Sequence, residues 1–464
     1  MREILPSETG TAGTEKPALS GGKRAREPGH EREQGKMKKR SKANFLVKKL
    51  GDNYGWAVCI ACMIQLFCAS GLGTTGFSVY QPYLIRLGGL TNTQSSTLIM
   101  IRTFVSLLGL AFAGKLIDLF EAKRVVVTGM ILCALSFVAY GTVHSFPGYC
   151  AAAALCGLAH GLAGMIPASV IITRWFNLHR GTALGICMSA TGLSALVASP
   201  IITALVESVG LRTSFYAEAV FILLMGAVVW FLAYSNPECI DARPIGSAQV
   251  QADKVYASHP AAPVLFFLMI LGLALYGIPG NTMYSHVSVL YAAEDYAPGA
   301  VSLMVSLLGG TIAAGKLIYG AVADRIGMIR ASFIFYTMVA VGGFLCSFAG
   351  NGSIPMAVLA VSIMGIGLAV SSVSISMYAS GASTGATYAQ TVTRFQLAFN
   401  LGSLLFGRVP GMIADRTGSY IPAFQIMAAA GVVSAALLLI TYAKILRDDA
   451  GRTQEVEEKR TAAA

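Results

Sequence analysis

Lys316 stands inside "SLLGGTIAAGKLIYGAVADRIG", residues 306 to 327, a stretch that is apolar and small for about eighteen positions and so long enough to cross a bilayer. From Asp324, taken as the edge of the apolar run, Lys316 lies eight residues up the helix. At roughly 1.5 Å per residue that is about 12 Å, against a hydrocarbon half-thickness near 15 Å. A lysine at the helix centre costs roughly 2.5–3.5 kcal/mol on insertion scales. A carboxylate about 4 Å from the ammonium is worth about 4 kcal/mol at an effective dielectric near 20, so a bound anion offsets the cost. The competing reading is snorkelling, since a reach of about 6 Å almost carries the ammonium to the headgroups. Steps of three and four place Ser302, Ser306, Gly309, Ala313, Lys316 and Gly320 on one small, hydroxyl-bearing face. Such a face packs against a neighbouring helix or borders a water-filled cavity, and a charge belongs with the second.

The other charges inside apolar runs are also cationic. Arg102 shares a face with Ser106, Gly109 and Ala113 and lies 16 residues, roughly 24 Å, from Asp118. Snorkelling and an outer vestibule are both open to it. Arg408 stands beside a polar face of Gln396, Asn400, Ser403 and Gly407, which favours contact with an anion. Arg394 reads as a headgroup anchor, and Lys115, three residues from Asp118, as a snorkelling lysine. His160, in "GLAHGLAG", either packs or binds, and His286 lies near the end of its run. In "LALYGIPGNTMYSHVSVLY", Pro279-Gly280 breaks the helix near its middle and frees backbone groups. Tyr276 and Tyr284 fall on one stripe there. With Tyr80 and Tyr83 from the first run they would wall a small cavity and offer hydroxyls to a carboxylate, helix packing being the alternative for at least half of these tyrosines.

These residues need spanning helices to position them. Of 464 residues 55% are hydrophobic and only 12% charged, with mean hydropathy +0.64, where a soluble domain has about 25% charged residues. Apolar runs near 55–83, 95–117, 124–144, 149–173, 181–206, 213–235, 262–291, 299–322, 329–350, 354–380, 388–413 and 420–444 make twelve spans. The polar stretch 236–260 after the sixth divides the chain into a six-helix bundle at 51–235 and another at 261–445, with tails at 1–50 and 446–464. The net charge of +11 is concentrated in the first tail, which includes "KMKKRSK". Basic breaks at 118–124, 174–180 and 324–330 fall on the same side, so the positive-inside rule puts both termini in the cytoplasm and explains the charge without nucleic acid. The nine cysteines lie mostly in apolar runs with no second pair near Cys59-x-x-Cys62, and read as packing residues, not metal ligands or disulfides. Acidic residues such as Glu207, Glu218, Glu294 and Asp295 fall mostly at helix ends. No motif for ATP hydrolysis, covalent catalysis, a metal or a cofactor is present.

"GKLID" (Gly114 to Asp118) follows span two and "GAVAD" (Gly320 to Asp324) follows span eight, which indicates internal duplication. This resembles the major facilitator superfamily, with its Gly-x3-Asp-[Arg/Lys]-x-Gly-[Arg/Lys] loop. Gly320, Asp324, Arg325, Gly327 and Arg330 follow the pattern; in the first copy Leu119 replaces a basic residue and Glu121 stands where a second glycine is usual. The resemblance implies that these aspartates and basic residues brace the inward-closed state. "RWFNLHRGTALG" (174–185), "GMIADRTGSY" (411–420) and "GDNYGWAV" (51–58) are similar to stretches of the monocarboxylate transporters and oxalate/formate exchangers. In the former an arginine sits four residues before the second-half glycine, where this chain has Lys316. The proton-linked aspartate four residues earlier is replaced by Ile312, and a lysine after the proline of span one by Tyr83. Both departures argue against proton symport by that route. The third Gly-x3-Asp, Gly411 to Asp415, reads as a structural turn.

The expectation is an all-α membrane protein of twelve transmembrane helices in two pseudo-symmetric six-helix bundles, the major facilitator fold. It would be a monomer in the cell membrane, not an enzyme, carrying a small mono- or dicarboxylate by alternating access. Lys316, Arg102, Arg408, Tyr80, Tyr83, Tyr276, Tyr284 and His160 would contact the substrate, and Gly114, Asp118, Gly320, Asp324 and Arg325 would serve the conformational change. Proton-coupled transport of neutral or cationic molecules is one alternative, which an acidic residue at mid-depth in the first half would favour, and none is evident in the sequence. A metabolite sensor that moves nothing is the other.

Overall fold

The structure, a computed structural model, describes residues 53–176, 180–240, 242, 244–246, 257, 259–384 and 387–462. The amino-terminal tail and residues 177–179 of the basic loop therefore lie outside the described residues, as does much of the expected 236–260 linker. Among the described residues twelve helices are long and apolar enough to cross a membrane: α1 Tyr54–Arg86, α2 Asn92–Ala113, α3 Ala122–Thr142, α4 Phe146–Trp175, α5 Thr182–Val209, α6 Leu211–Leu232, α7 Pro263–Ala293, α8 Pro298–Ile326, α9 Met328–Asn351, α10 Ile354–Ala382, α11 Gln390–Thr417 and α12 Ile421–Gln454. The helix of α2 runs on to Phe120 and that of α12 to Ala462. With an even number of crossings, the start of α1, the end of α12 and the α2–α3 and α8–α9 turns share one face, here the terminal face. The α1–α2, α7–α8 and α11–α12 turns lie on the far face.

Large apolar side chains point away from the bundle, among them Phe104, Phe112, Leu224, Phe231, Phe267 and Leu317. Hydrocarbon takes them in without the penalty that water would impose. Inside, the two halves repeat one another's irregularities. α1 is wound as a π-helix over Phe67–Gly76 and α7 over Ile278–Met283. α4 breaks at Gly164 and α10 at Ala369. The winding of α7 follows from Pro279, whose ring and missing N–H forbid the ordinary α bond. Such widened turns leave carbonyls without intrahelical partners, and in a bilayer those must be met by protein.

Across the halves α8 lies along α5. A Cβ on Gly192 would fall 2.6 Å from the Gly309 carbonyl oxygen, and one on Gly309 2.2 Å from the Ala195 Cβ. The small-residue face of α8 is thus a helix contact over Gly309 and Ala313, and its lower part is open: Lys316 borders a cavity, and a side chain added at Gly320 would meet nothing within 4 Å.

The two Gly-x3-Asp turns differ in their backbone. Gly327, after α8, has φ 85°, and Glu121, after α2, has φ 69° with ψ 140°. Glycine adopts that region freely, whereas a side chain there is strained by about 1–3 kcal/mol. Glu121→Gly should therefore raise the melting temperature of the purified protein by a few degrees, and Gly327→Ala should lower it. Thermal unfolding in detergent checks both, and a loss of stability in Glu121→Gly would contradict the strain.

Candidate functional site

A cavity of about 280 Å³ lies between the halves, walled by α1, α2, α4 and α5 on one side and α7, α8, α10 and α11 on the other. Its polar lining is built where helices are irregular. Arg102, from α2, is buried and donates from Nη1 to the carbonyls of Gly73 at 3.0 Å and Thr74 at 3.4 Å, both in the π-wound segment of α1. Gln65 Nε2 does the same for the α4 break, donating to Ala163 at 3.0 Å and Gly164 at 3.2 Å. From α7, Asn281 donates from Nδ2 to Ser403 Oγ at 2.8 Å. The first two donors meet backbone carbonyls at an interrupted helix, whereas Asn281 ties the π-wound segment of α7 to a hydroxyl of α11. A guanidinium has five N–H donors, so Arg102 keeps others for the cavity.

Lys316 reaches the cavity from the opposite half. Its Nζ lies 3.4 Å from the Met188 carbonyl and 3.4 Å from Thr191 Oγ1, both on α5. These are long contacts to neutral acceptors. The ammonium is therefore between the two halves, not among headgroups. Among the described residues no Asp or Glu lines the cavity. Two cations from opposite halves, with only neutral acceptors around them, make a site whose field favours an anion, and a small volume confines its size.

Of the residues singled out from sequence, the cavity brings together Lys316, Arg102, His160 and Tyr284. His160 Nδ1 is 3.5 Å from the Ala69 carbonyl. Four others are not in its wall. Tyr80 is buried against Phe215 and Phe137 and donates to Glu218 Oε2 at 2.8 Å. Tyr276 packs with Tyr336 and Phe399 inside the second half. Tyr83 lines a separate pocket on the far face with Arg86 and Tyr296. The stripe that joins Tyr276 to Tyr284 assumes unbroken α-winding, and the π segment of α7 shifts the register between them; Tyr80 and Tyr83 lie beyond the π segment of α1, in the regular turns toward the far face. Arg408 is exposed, because α11 breaks at Gly407-Arg408 ahead of Pro410 and turns it from the Gln396–Asn400 face that does line the cavity. Asn281, Thr191, Ser371 and Ser372 join the wall without having been singled out. The Pro279-Gly280 break was the signal for Asn281; the serines and threonine carried none.

The far face is held shut. Asp415 accepts from the backbone N–H of Asn92 at 3.0 Å and of Thr93 at 2.8 Å, and from Asn92 Nδ2 at 3.0 Å. These are the free donors at the start of α2, where a helix favours a negative charge. The third Gly-x3-Asp is therefore an inter-half clamp and more than a turn. Tyr420 donates to Asn92 Oδ1 at 3.1 Å. Deeper in, His286 Nδ1 faces the Thr282 carbonyl at 2.9 Å and must donate to it, leaving Nε2 to accept from Ser96 across the halves at 3.0 Å. At the terminal face Asp324 and Arg325 are exposed, and a side chain added at Gly320 would meet nothing within 4 Å. Gly114 and Asp118 lie in the helix of α2, and nothing is described of the Asp118 side chain.

The sequence model of the Major Facilitator Superfamily matches residues 63–296 and 269–463. Among curated relatives, the "Probable L-galactonate transporter" of Escherichia coli (strain K12) is 24% identical over 351 residues, 70% of this chain and 73% of that protein. Monocarboxylate transporter 13 of Rattus norvegicus is 23% identical over 397 residues, 84% and 89% of the two chains. Of two other curated relatives the chain spans 65% and 66% of the length. The solved structure of the nucleoside transporter NupG (D323A mutant) superposes with a TM-score of 0.66 at 14% identity, covering 84% of this chain and 100% of that one. At that identity the likeness speaks for the fold.

Asp415→Ala removes the acceptor of three hydrogen bonds at the start of α2. Hydrogen exchange in the peptide covering residues 88–98 should then speed by about tenfold, the equivalent of one charge-assisted bond. Unchanged exchange there would show that the clamp holds nothing.

Proposed function

The chain belongs to the major facilitator superfamily, and from that premise we propose that it carries a small organic anion, a mono- or dicarboxylate, across the membrane by alternating access. One observation carries the reading: a cavity between the halves with Lys316 and Arg102 on opposite sides and, among the described residues, no carboxylate in its wall. An acid enters by replacing the neutral acceptors at Lys316, whose two contacts are both 3.4 Å long. Bridging Arg102 on α2 and Lys316 on α8, it gives the two halves a shared partner that water cannot supply, and so binds best in the state that brings them closest. The similarity to proteins named as L-galactonate and monocarboxylate transporters supports an acidic cargo. Neutral or cationic cargo would leave both cations uncompensated. His160, Tyr284, Asn281 and Gln396 then set orientation by hydrogen bonding.

With the basic α2–α3, α4–α5 and α8–α9 turns on the terminal face, the positive-inside rule favours cytoplasmic termini in the cell membrane. The state described here, clamped at Asp415 and free around Gly320, is then the one that faces the cytoplasm. We read the protein as a transporter without covalent chemistry. Asp324 and Arg325 would engage only when the terminal face closes.

Lys316→Gln should reduce exchange of small carboxylates in proteoliposomes by two to three orders of magnitude, about the value of one ion pair, with insertion into the membrane retained. Lys316→Arg should keep part of the activity. Wild-type exchange in Lys316→Gln would remove the lysine from the mechanism, and saturable binding with no counterflow in the wild type would favour a sensor.

A further inference from the structure

Glu218 was read from sequence as one of several acidic residues near helix ends, and the structure corrects that. It lies seven residues into α6, is only 7% exposed, and belongs to the interior of the first half. Its Oε2 accepts from the Tyr80 hydroxyl at 2.8 Å. Its Oε1 is buried and has no hydrogen-bond partner. The titratable groups that face it are Tyr80 and Cys68 from α1, Cys133 from α3 and Cys156 from α4. None is a cation, and α5 contributes the apolar Ile202 beside the same spot.

A buried carboxyl with one hydroxyl donor and one bare oxygen is an unusual thing to keep in a membrane, where polar groups are otherwise satisfied. The ionised form has nothing to offset it, whereas a proton on Oε1 removes the charge. The position of Oε1 is informative. A Cβ built on Gly76 would lie 3.4 Å from it, so the carboxyl rests against the end of the π-wound segment of α1. Gly73 and Thr74 of that same segment hold Arg102 in the cavity wall. One short stretch of irregular backbone thus touches the carboxyl at one point and the cavity's guanidinium at another.

We propose that Glu218 is a proton-binding site that couples proton movement to transport through the π-wound segment of α1. A proton from water bonds to Oε1 and is returned to water as the halves rock; no other bond changes. Ionisation of Glu218 requires water or a counter-charge to reach it; displacement of α1 from α6 admits either, and that displacement carries the carbonyls that hold Arg102. The link to cargo rests on the reading of the cavity as an organic-anion site; the proton site itself does not.

Two measurements separate these. In pH-induced infrared difference spectra of the purified full-length protein, a protonated-carboxyl band should titrate in the wild type, be missing in Glu218→Gln, and shift in Tyr80→Phe, which keeps the carboxyl and loses its donor. Absence of a titrating band assignable to Glu218 would overturn the proposal. In proteoliposomes containing a pH-sensitive dye, protons moved per acid transported should fall to near zero in Glu218→Gln. The same ratio in wild type and variant, or a wild type that moves acid without protons, would overturn the coupling. A band that titrates in a protein that carries no small carboxylate would sink the cargo reading and leave the proton site standing.

Discussion

Hydrocarbon offers no hydrogen bonds, so every backbone group that a helix releases must find its partner within the protein, and most of what distinguishes this molecule follows from that. α1 and α7 are wound too wide at mid-membrane, and α4 and α10 are interrupted at matching positions. The released carbonyls draw in Arg102 and Gln65, and polar side chains collect around the interruptions. The cavity is a consequence of this, since it lies where the helices are least regular. Part of its charge is a consequence too. Arg102 enters as a donor to released carbonyls and so brings a cation without an acid; Lys316 comes independently, from α8 against the continuous helix of α5.

Much of this was legible in the sequence. Twelve apolar runs and a duplicated Gly-x3-Asp predict the architecture because hydropathy and topology are nearly one-dimensional properties. Lys316 was legible because a cation deep in an apolar run has few places to go. The structure puts it against α5, and it adds that the small residues above it serve helix contact, with only the lower part of that face open. Tyr80, Tyr83, Tyr276 and Arg408 lie outside the cavity wall, while Tyr284 is in it. Tyr276 and Arg408 are placed by counting along regular helices, and α7 and α11 are not regular at the counted positions, whereas Tyr80 and Tyr83 lie too near the far face to reach the cavity.

Two carboxylates show what a single span cannot say. Asp415 sits in a motif shared with related turns, yet its partners are the first N–H groups of α2, more than 300 residues away in sequence. Glu218 stands seven residues inside a helix whose depth in the protein depends on the packing of α1 and α3. Nothing local marks either. Together they divide the labour around the cations: one closes the far face between the halves, and the other is sealed inside the first half behind the segment that carries Arg102. The acid-free wall of the cavity is therefore not a shortage of acids but a matter of where they were put.

The account stands on the affinity of that cavity for negative charge. Calorimetric titration of the purified protein with a panel of small carboxylic acids, each set against its primary amide of nearly equal size and shape, tests it most directly. Saturable binding of at least one acid, with its amide at least a hundredfold weaker, is the predicted result. Equal affinity for acid and amide would mean that shape alone is recognised, and that Lys316 and Arg102 serve the fold and not the cargo.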